Sequence, residues 1–559
     1  MMKKHSDFTA SSRSIDNSFY QLDQQVDNGF NNDAEDLLAE FGYKQELNRT
    51  FGTLQVFGIA FSIMGLLPSI ATVMGIGLTG GMFTLLWGWF ISGFMILTMG
   101  IAMSELASAI PTSGGLYYWT HHFAPPGWKN ILSFVVGISN SMALIGGVCS
   151  ITYGLAEQIL AAIYLATDGG FILNDLKVYC VFVLGIIAEL LVTSFASSAI
   201  SKLQTTSIIA NIGLIVLFFI ALPTGTAKNS QFNDSSFIIK NFQNFSDWPS
   251  GWAFIQFGLG GCAWVVSGFD SCIHMAEEVK NPSRAIPFGI IASITTCWIT
   301  GFVILIVIGA CINPDLKLII DSATGQPLAQ IFYDSLGKNW AVVFISLSAV
   351  CQFFMSASAL TATSRQVWAF SRDDGLPFSW FIKVVHKELK VPLRATIVCA
   401  LFSLVIGLLI LAGPVAANAL FSIGIIGNYL SWSTPQVLRL ISENGSFKPG
   451  CFYLGDRLSP IVVTISIFSQ YLIMILSFFP SRKHIMDASQ MNYAAVINIG
   501  IWVLSIVYFY AVKSKTFVGP KSNIPEDEFI EGVEPIIDAT FQAHERDSLL
   551  KKNKFKMIL

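Results

Sequence analysis

Apolar stretches of about twenty residues, separated by short polar connections, recur along the chain from Gly52 to Lys513. Each is long enough to cross a hydrocarbon layer about 30 Å thick as an α-helix. The pattern predicts twelve spans: 52–75, 82–107, 129–163, 178–198, 203–223, 252–275, 287–312, 339–370, 393–413, 415–440, 460–480 and 492–513. The third and eighth exceed what a bilayer needs and predict tilt or extension beyond it. The expected architecture is an all-α polytopic membrane protein, with one packed domain at 49–513 between polar tails at 1–48 and 514–559. The first 48 residues hold no apolar signal-peptide core, so the first span is expected to direct insertion.

Two spans break in the middle. An apolar run from Trp252 to Val266 meets Ser267-Gly268-Phe269-Asp270, and apolar character returns only weakly before Glu277-Glu278. A carboxylate at the centre of a membrane helix costs roughly 2.5–3.5 kcal/mol on insertion scales, so it needs a reason. Gly268 lets the helix unwind, and backbone polar groups freed at that depth need a cavity or a ligand. The first span has a comparable interruption at Ser62-Ile63-Met64-Gly65, with Pro68 one turn later. Interrupted spans at matching positions of two halves point to the substrate site of a secondary transporter. The matched breaks also suggest an inverted repeat of spans 1–5 against 6–10, with spans 11 and 12 accessory.

Composition narrows the class. Hydrophobic residues make up 53% of the chain and charged residues 12%, well below the roughly 25% charged of a soluble domain. A formal charge of −3 gives no basic footprint for a nucleic acid. The nine cysteines form no Cys-x-x-Cys pair, which argues against a zinc site or a disulfide framework, and no cofactor is expected. His121-His122 is one adjacent pair, and no His box recurs to support a membrane metalloenzyme. A non-transporting nutrient sensor stays open as an alternative. Lys and Arg beside the spans favour a cytoplasmic location for loops 276–287, 371–394 and 440–459, and with them both tails. The sequons at Asn233 and Asn244 then face outside or a lumen. Acidic dileucine sequences at 33–38 and 545–550 suggest sorting or ubiquitin machinery as partners at the tails.

Three stretches carry a resemblance. Ser104-Glu105-Leu106-Ala107-Ser108-Ala109-Ile110-Pro111-Thr112-Ser113-Gly114-Gly115 follows the second span, Glu277-Glu278-Val279-Lys280-Asn281-Pro282 follows the sixth, and Phe370-Ser371-Arg372-Asp373-Asp374-Gly375-Leu376-Pro377 follows the eighth. In sequence and order they resemble the amino acid–polyamine–organocation superfamily. Phe51–Ile70, Ser364–Phe370 and Ser431-Trp432-Ser433-Thr434-Pro435 are similar to its fungal amino acid/choline transporter group. One departure is Met275-Ala276, a pair associated with choline carriers where GABA carriers have polar residues. The resemblance implies a LeuT-like 5+5 inverted repeat with discontinuous helices 1 and 6. It also implies proton symport of GABA or a related small amino compound, with polyamines or choline as alternative substrates.

Roles follow from the residues and the resemblance together. The substrate-binding set is Ser62, Ile63, Met64, Gly65, Asn140, Ser267, Gly268, Phe269 and Asp270. The unwound first span is expected to offer the amides of Gly65, Leu66 and Leu67 to a substrate carboxylate. A simple glycine kink filled by a neighbouring helix is the alternative. Asp270 falls where relatives carry an acid tied to substrate and proton sensing. Burial favours a neutral acid and a nearby ammonium favours the carboxylate, so substrate arrival and proton release can meet at one group. A structural Asp capping freed backbone donors is the competing reading. His274 and Glu157 complete the proton-coupling set. Asn140 is expected to face the substrate or to bond another helix, and Phe269 to gate the site or pack in the core. Glu189 is expected to be structural and hydrated near a membrane edge, and Glu105 to hold the cytoplasmic loops. Some proton-coupled relatives use a fifth-span lysine, but the aligned position here is Asn211, which cannot carry a proton.

Overall fold

The computed structural model describes residues 35–194, 197–442, 447–484 and 491–523. Among these residues regular structure is helical, apart from one isolated parallel bridge between Phe51 and Val279. Ten helices are long and apolar enough to cross a membrane, which makes the chain an integral multi-pass membrane protein. The helices that matter for the site are α1 (Thr53–Met64), α2 (Leu66–Leu78), α3 (Gly81–Ala109), α4 (Lys129–Ala166), α5 (Asp175–Ser194) and α6 (Ser197–Asn229). They are followed by α7 (Ser250–Val265), α8 (Ser271–His274), α9 (Pro282–Cys311), α10 (Lys338–Arg372), α11 (Leu393–Ile406), α12 (Pro414–Ile441) and α13 (Gly455–Leu476). Two of the twelve expected spans fall outside the ten. The sixth is divided between α7, of 16 residues, and the four-residue α8. The tenth is α12, which carries Asn428, Ser431, Ser433, Thr434 and Gln436 along its length.

Both expected breaks are present. Gly65 separates α1 from α2 in the left-handed region, at φ +41, where a side chain costs roughly 1–2 kcal/mol. Gly268, at φ +78, lies in the turn between α7 and α8. The two breaks touch, because a Cβ on Gly268 would come within 2.7 Å of Ile63 Cγ2.

The helices pack in two groups around this contact. In one, α3 packs on α7 and α9, α1 on α9, and α2 on α7. In the other, α4 packs on α10, and α5 and α11 pack on both. Helix α12 lies along α4, and α13 along α3 and α12. The site is therefore built where two separately packed units face each other.

The inner margins of the expected tails are packed rather than loose. Leu38, Phe41, Tyr43, Leu47 and Phe51 are buried. Arg49 donates to the Val279 carbonyl at 2.6 Å, and Tyr43 Oη donates to Asp373 at 2.9 Å. From the other end of the chain, the Lys521 amide donates to Asp373 Oδ1 at 3.2 Å. Asn523 joins the two segments: its Nδ2 donates to Glu46 at 2.7 Å, and its Oδ1 accepts from the Lys44 amide at 2.7 Å. Burial pushes the Asp373 carboxyl up to about 6 against the pull of Arg372 and of the Tyr117 and Tyr43 hydroxyls. Of the first acidic dileucine sequence, Glu35 and Asp36 are exposed, Leu37 is half-buried and Leu38 is buried. Asp33-Ala34 and the second signal at 545–550 lie outside the described residues.

Candidate functional site

A cavity of about 50 Å³ lies between the broken helices. Ile63 of α1 and Ser267, Gly268 and Ser271 of the α7–α8 break form one wall. Ala143, Gly147 and Ser150 of α4, Met355 and Thr363 of α10, and Asn428 of α12 form the other. Among the described residues no charged side chain lines it; its polar groups are hydroxyls, one amide, the Trp264 indole and the unwound backbone. Such a lining suits a small solute without net charge, since an unpaired ion would be desolvated there at high cost.

Of the expected substrate residues, Ile63, Ser267 and Gly268 line this cavity. Ser62, Met64, Asn140, Phe269 and Asp270 are buried beside or behind it. Phe269 is buried and packs on Trp432 with ring centroids 4.6 Å apart, off the cavity wall. Gly65 contributes space rather than an amide. Its N–H donates to the Phe61 carbonyl at 3.1 Å, which corrects the expectation that it was available to a carboxylate. Leu66 and Leu67 open α2, where the first amides of a helix have no intrahelical acceptor. A Cβ at Gly65 would lie 2.7 Å from Met355 Sδ, and Met355 is itself a wall residue. Gly65→Val is therefore expected to deform the cavity whichever group yields, raising the half-saturation concentration for uptake by about tenfold. An unchanged value at normal membrane abundance would remove Gly65 from the site.

Behind the cavity, Asp270 sits at the start of α8 with its side chain fully buried. Three groups converge on its Oδ2. Trp432 Nε1 of α12 donates at 3.0 Å, Asn140 Nδ2 of α4 donates at 3.4 Å, and His274 Nε2 approaches to 3.6 Å. Oδ1 has no hydrogen-bond partner among the described residues. His274 Nδ1 lies 3.2 Å from the Ser113 carbonyl, which can only accept, so Nδ1 carries a hydrogen. His274 Nε2 makes no hydrogen bond among the described residues, so the imidazole and the carboxylate face each other across 3.6 Å. Sequence reading missed both α12 groups. Asn428 and Trp432 stand one turn apart on one face, a spacing visible in the sequence but not distinctive without the fold.

Glu157 does not join this cluster. Along α4 it stands roughly 25 Å from Asn140, at 1.5 Å per residue. It bonds Tyr153 and accepts from Gln326 Nε2 at 3.0 Å, on the connection between α9 and α10. Glu189 is not at a hydrated edge either. It is fully buried and accepts from Thr152 at 3.1 Å, and Thr152 bonds Ser356 at 2.7 Å, tying α5 to α4 and α10. Glu105 accepts from Arg439 at 2.7 Å, Ser459 at 2.6 Å and the Leu454 amide at 3.0 Å, joining α3 to α12 and α13. Met275 and Ala276 are buried and do not touch the cavity. The Asn233 and Asn244 amides donate to backbone carbonyls at 2.6 and 2.8 Å, so each sequon nitrogen is engaged in the fold. Asn211 Nδ2 donates within its own helix, to the Ser207 carbonyl at 2.9 Å.

Aromatic contacts flank the cavity on one side and ion pairs on the other. Towards the end of α2, Trp264 packs edge-on to Phe421 at 5.0 Å, and Tyr153 packs edge-on to Phe421 at 6.1 Å. Trp264 also lines a second cavity of about 190 Å³, bounded by Ile76, Gln256, Ile425 and Phe479 among others, so one indole divides the two spaces. Towards the start of α1, Arg372 holds Glu277 through two bonds of 3.0 Å, and Arg365 Nε holds Glu278 at 2.7 Å. Arg372 lies over the Tyr43 ring at 3.9 Å.

Two broken helices meeting across an uncharged cavity are the layout of a membrane carrier for small solutes. Residues 51–503 match the amino acid permease family, and the chain belongs to it. It is 53% identical to the GABA-specific permease of Saccharomyces cerevisiae over 498 residues, covering 89% of this chain and 87% of that one. Two uncharacterized amino-acid permeases of Schizosaccharomyces pombe are 33% and 32% identical, over 91% and 92% of this chain and 93% of each. These relatives are permeases rather than enzymes, as expected of this chain. The amino acid permease family entails a small amino compound as substrate and a lipid bilayer as surroundings.

Proposed function

We propose that this chain carries GABA, or a closely similar zwitterion with separated amine and carboxylate, by symport with protons. The observation that carries the reading is the uncharged cavity backed by one buried acid. A zwitterion brings its own counter-charge, so hydroxyls, an amide and backbone groups suffice to hold it. The Ser267–Ser271 turn with Asn428 would take the amine; the Leu66 and Leu67 amides lie off the cavity wall and would take the carboxylate once the α1–α2 break moves towards it. The Asp270–His274 pair would hold the transported proton, out of contact with the cavity wall. Polyamines or choline are favoured less, because a cation in this cavity meets no carboxylate and Glu157 is engaged elsewhere. The GABA-specific yeast relative supports the same choice.

Alternating access would rock the unit of α1, α2, α3, α7 and α9 against that of α4, α5, α10 and α11. This extends the fold to twelve spans in a LeuT-like 5+5 inverted repeat, with α7 and α8 forming the broken sixth span. Both termini would lie in the cytoplasm, with the protein in the plasma or vacuolar membrane. A sensor that does not transport would need neither paired breaks nor a buried proton site.

Labelled GABA uptake into a permease-deficient host, with spermidine and choline as competitors at several external pH values, tests this reading. GABA uptake that rises at acid pH and resists both competitors is expected. Uptake of spermidine or choline in preference to GABA would overturn it.

A further inference from the structure

We propose that Asn428 and Asn140 form a relay reporting the contents of the cavity to Asp270, so that the substrate amine governs proton release through Asn428. This rests on the reading of Asp270 and His274 as the proton site. Asp270 is buried and is not on the cavity wall, so a solute in the cavity reaches it only through intermediates. Asn428 is on that wall. Its Oδ1 accepts from Asn140 Nδ2 at 3.2 Å, and the same Nδ2 donates to Asp270 Oδ2 at 3.4 Å. A primary amide nitrogen has two hydrogens, so these two bonds use both. The Asn140 amide therefore divides between the wall residue and the acid, and neither bond is short.

An ammonium group bonding Asn428 Oδ1 draws that carbonyl into the cavity and loosens its hold on Asn140. Asn140 then closes on Asp270 Oδ2. A donor drawn onto a carboxylate favours the ionised form, so the proton is released when the amine is seated. The one bond that breaks is the O–H or N–H of the Asp270–His274 pair, and the proton passes to water as the carrier opens. Trp432, one turn beyond Asn428, holds the same Oδ2 at 3.0 Å and fixes the acid while Asn140 moves. Glu277, Glu278, Arg365 and Arg372 are paired with one another and leave the relay to neutral groups.

The relay separates binding from coupling. Asn140→Leu and Asn428→Leu, with Asn140→Ser and Asn428→Ser as less bulky counterparts, are compared at matched membrane abundance. Exchange of labelled GABA at equal pH reports binding and rocking; accumulation under an inward proton gradient reports coupling. Accumulation is expected to fall about tenfold further than exchange does, and uptake no longer to vary with pH, in the usual range of coupling between sites. Asn428→Gln, which keeps the amide, should restore part of the pH response. Gradient-driven accumulation retained in the Asn140 variants overturns the relay. So does equal loss of exchange and accumulation, which would make Asn428 a binding residue alone. Asp270→Asn in the same assay keeps the two readings apart: if it still accumulates GABA the proton-site reading fails, and if only the Asn140 variants do, the relay alone fails.

Discussion

Asp270→Asn is expected to reduce gradient-driven accumulation to the background of the untransformed host while the protein still reaches its membrane. The substitution keeps the shape of the side chain and leaves an amide oxygen to accept from Trp432 and Asn140, whose donors lie 3.0 and 3.4 Å from Oδ2. What it removes is the charge and the exchangeable proton. Asp270 and His274 are the acid and the imidazole beside the cavity, and no Asp, Glu, His, Lys or Arg is among the described residues of its wall. A neutral amide at position 270 leaves His274 without its acid and leaves no pair to share a proton. Exchange of labelled substrate at equal pH should outlast accumulation, which distinguishes lost coupling from lost binding. Full accumulation in this variant would take Asp270 out of the mechanism.

The second large effect is expected at the ion pair of Arg372 and Glu277. Arg372→Ala leaves the Glu277 carboxylate buried without its partner, and breaking a buried ion pair in this way costs roughly 3–5 kcal/mol. Arg372 also covers the Tyr43 and Trp368 rings at 3.9 and 4.6 Å, so its loss loosens the N-terminal segment as well. A clear fall in the temperature of aggregation in detergent is the expected result, together with loss of uptake. Arg372→Met combined with Glu277→Leu should recover much of the heat stability, because no lone charge is then left in the interior. Heat stability of Arg372→Ala equal to that of the parent would mean the pair carries no structural weight.

Much of the architecture could be read from the chain because membrane helices announce themselves by length and apolarity. The two breaks could be read for a related reason: glycine, serine and aspartate at 62–65 and 267–270 are costly within an apolar run. Side-chain direction could not. Asp270 was expected in the cavity and lies behind it, because the turn that frees the backbone also aims its carboxylate at α4 and α12. Glu157 looked like a second proton carrier because an acid in an apolar span has no depth marker, and only the length of α4 puts it at the far end. Trp432, Trp264 and Phe421 read as ordinary core aromatics, since nothing in composition separates a ring that divides two cavities from one that fills space. The segment 35–48 read as a tail because its buried residues, Leu38, Phe41, Tyr43 and Leu47, follow no steady helical or strand period.

The stitching of residues 35–51 to residues 513–523 by Asn523, Lys521 and Tyr43 bears on how the molecule can be handled. A fluorescent reporter fused just before Thr53 or just after Lys513 would sever strands of that stitching and impair the carrier through its mounting rather than its chemistry. Reporters attached beyond residues 35 and 523, with a flexible spacer, leave both ends of the knot tied.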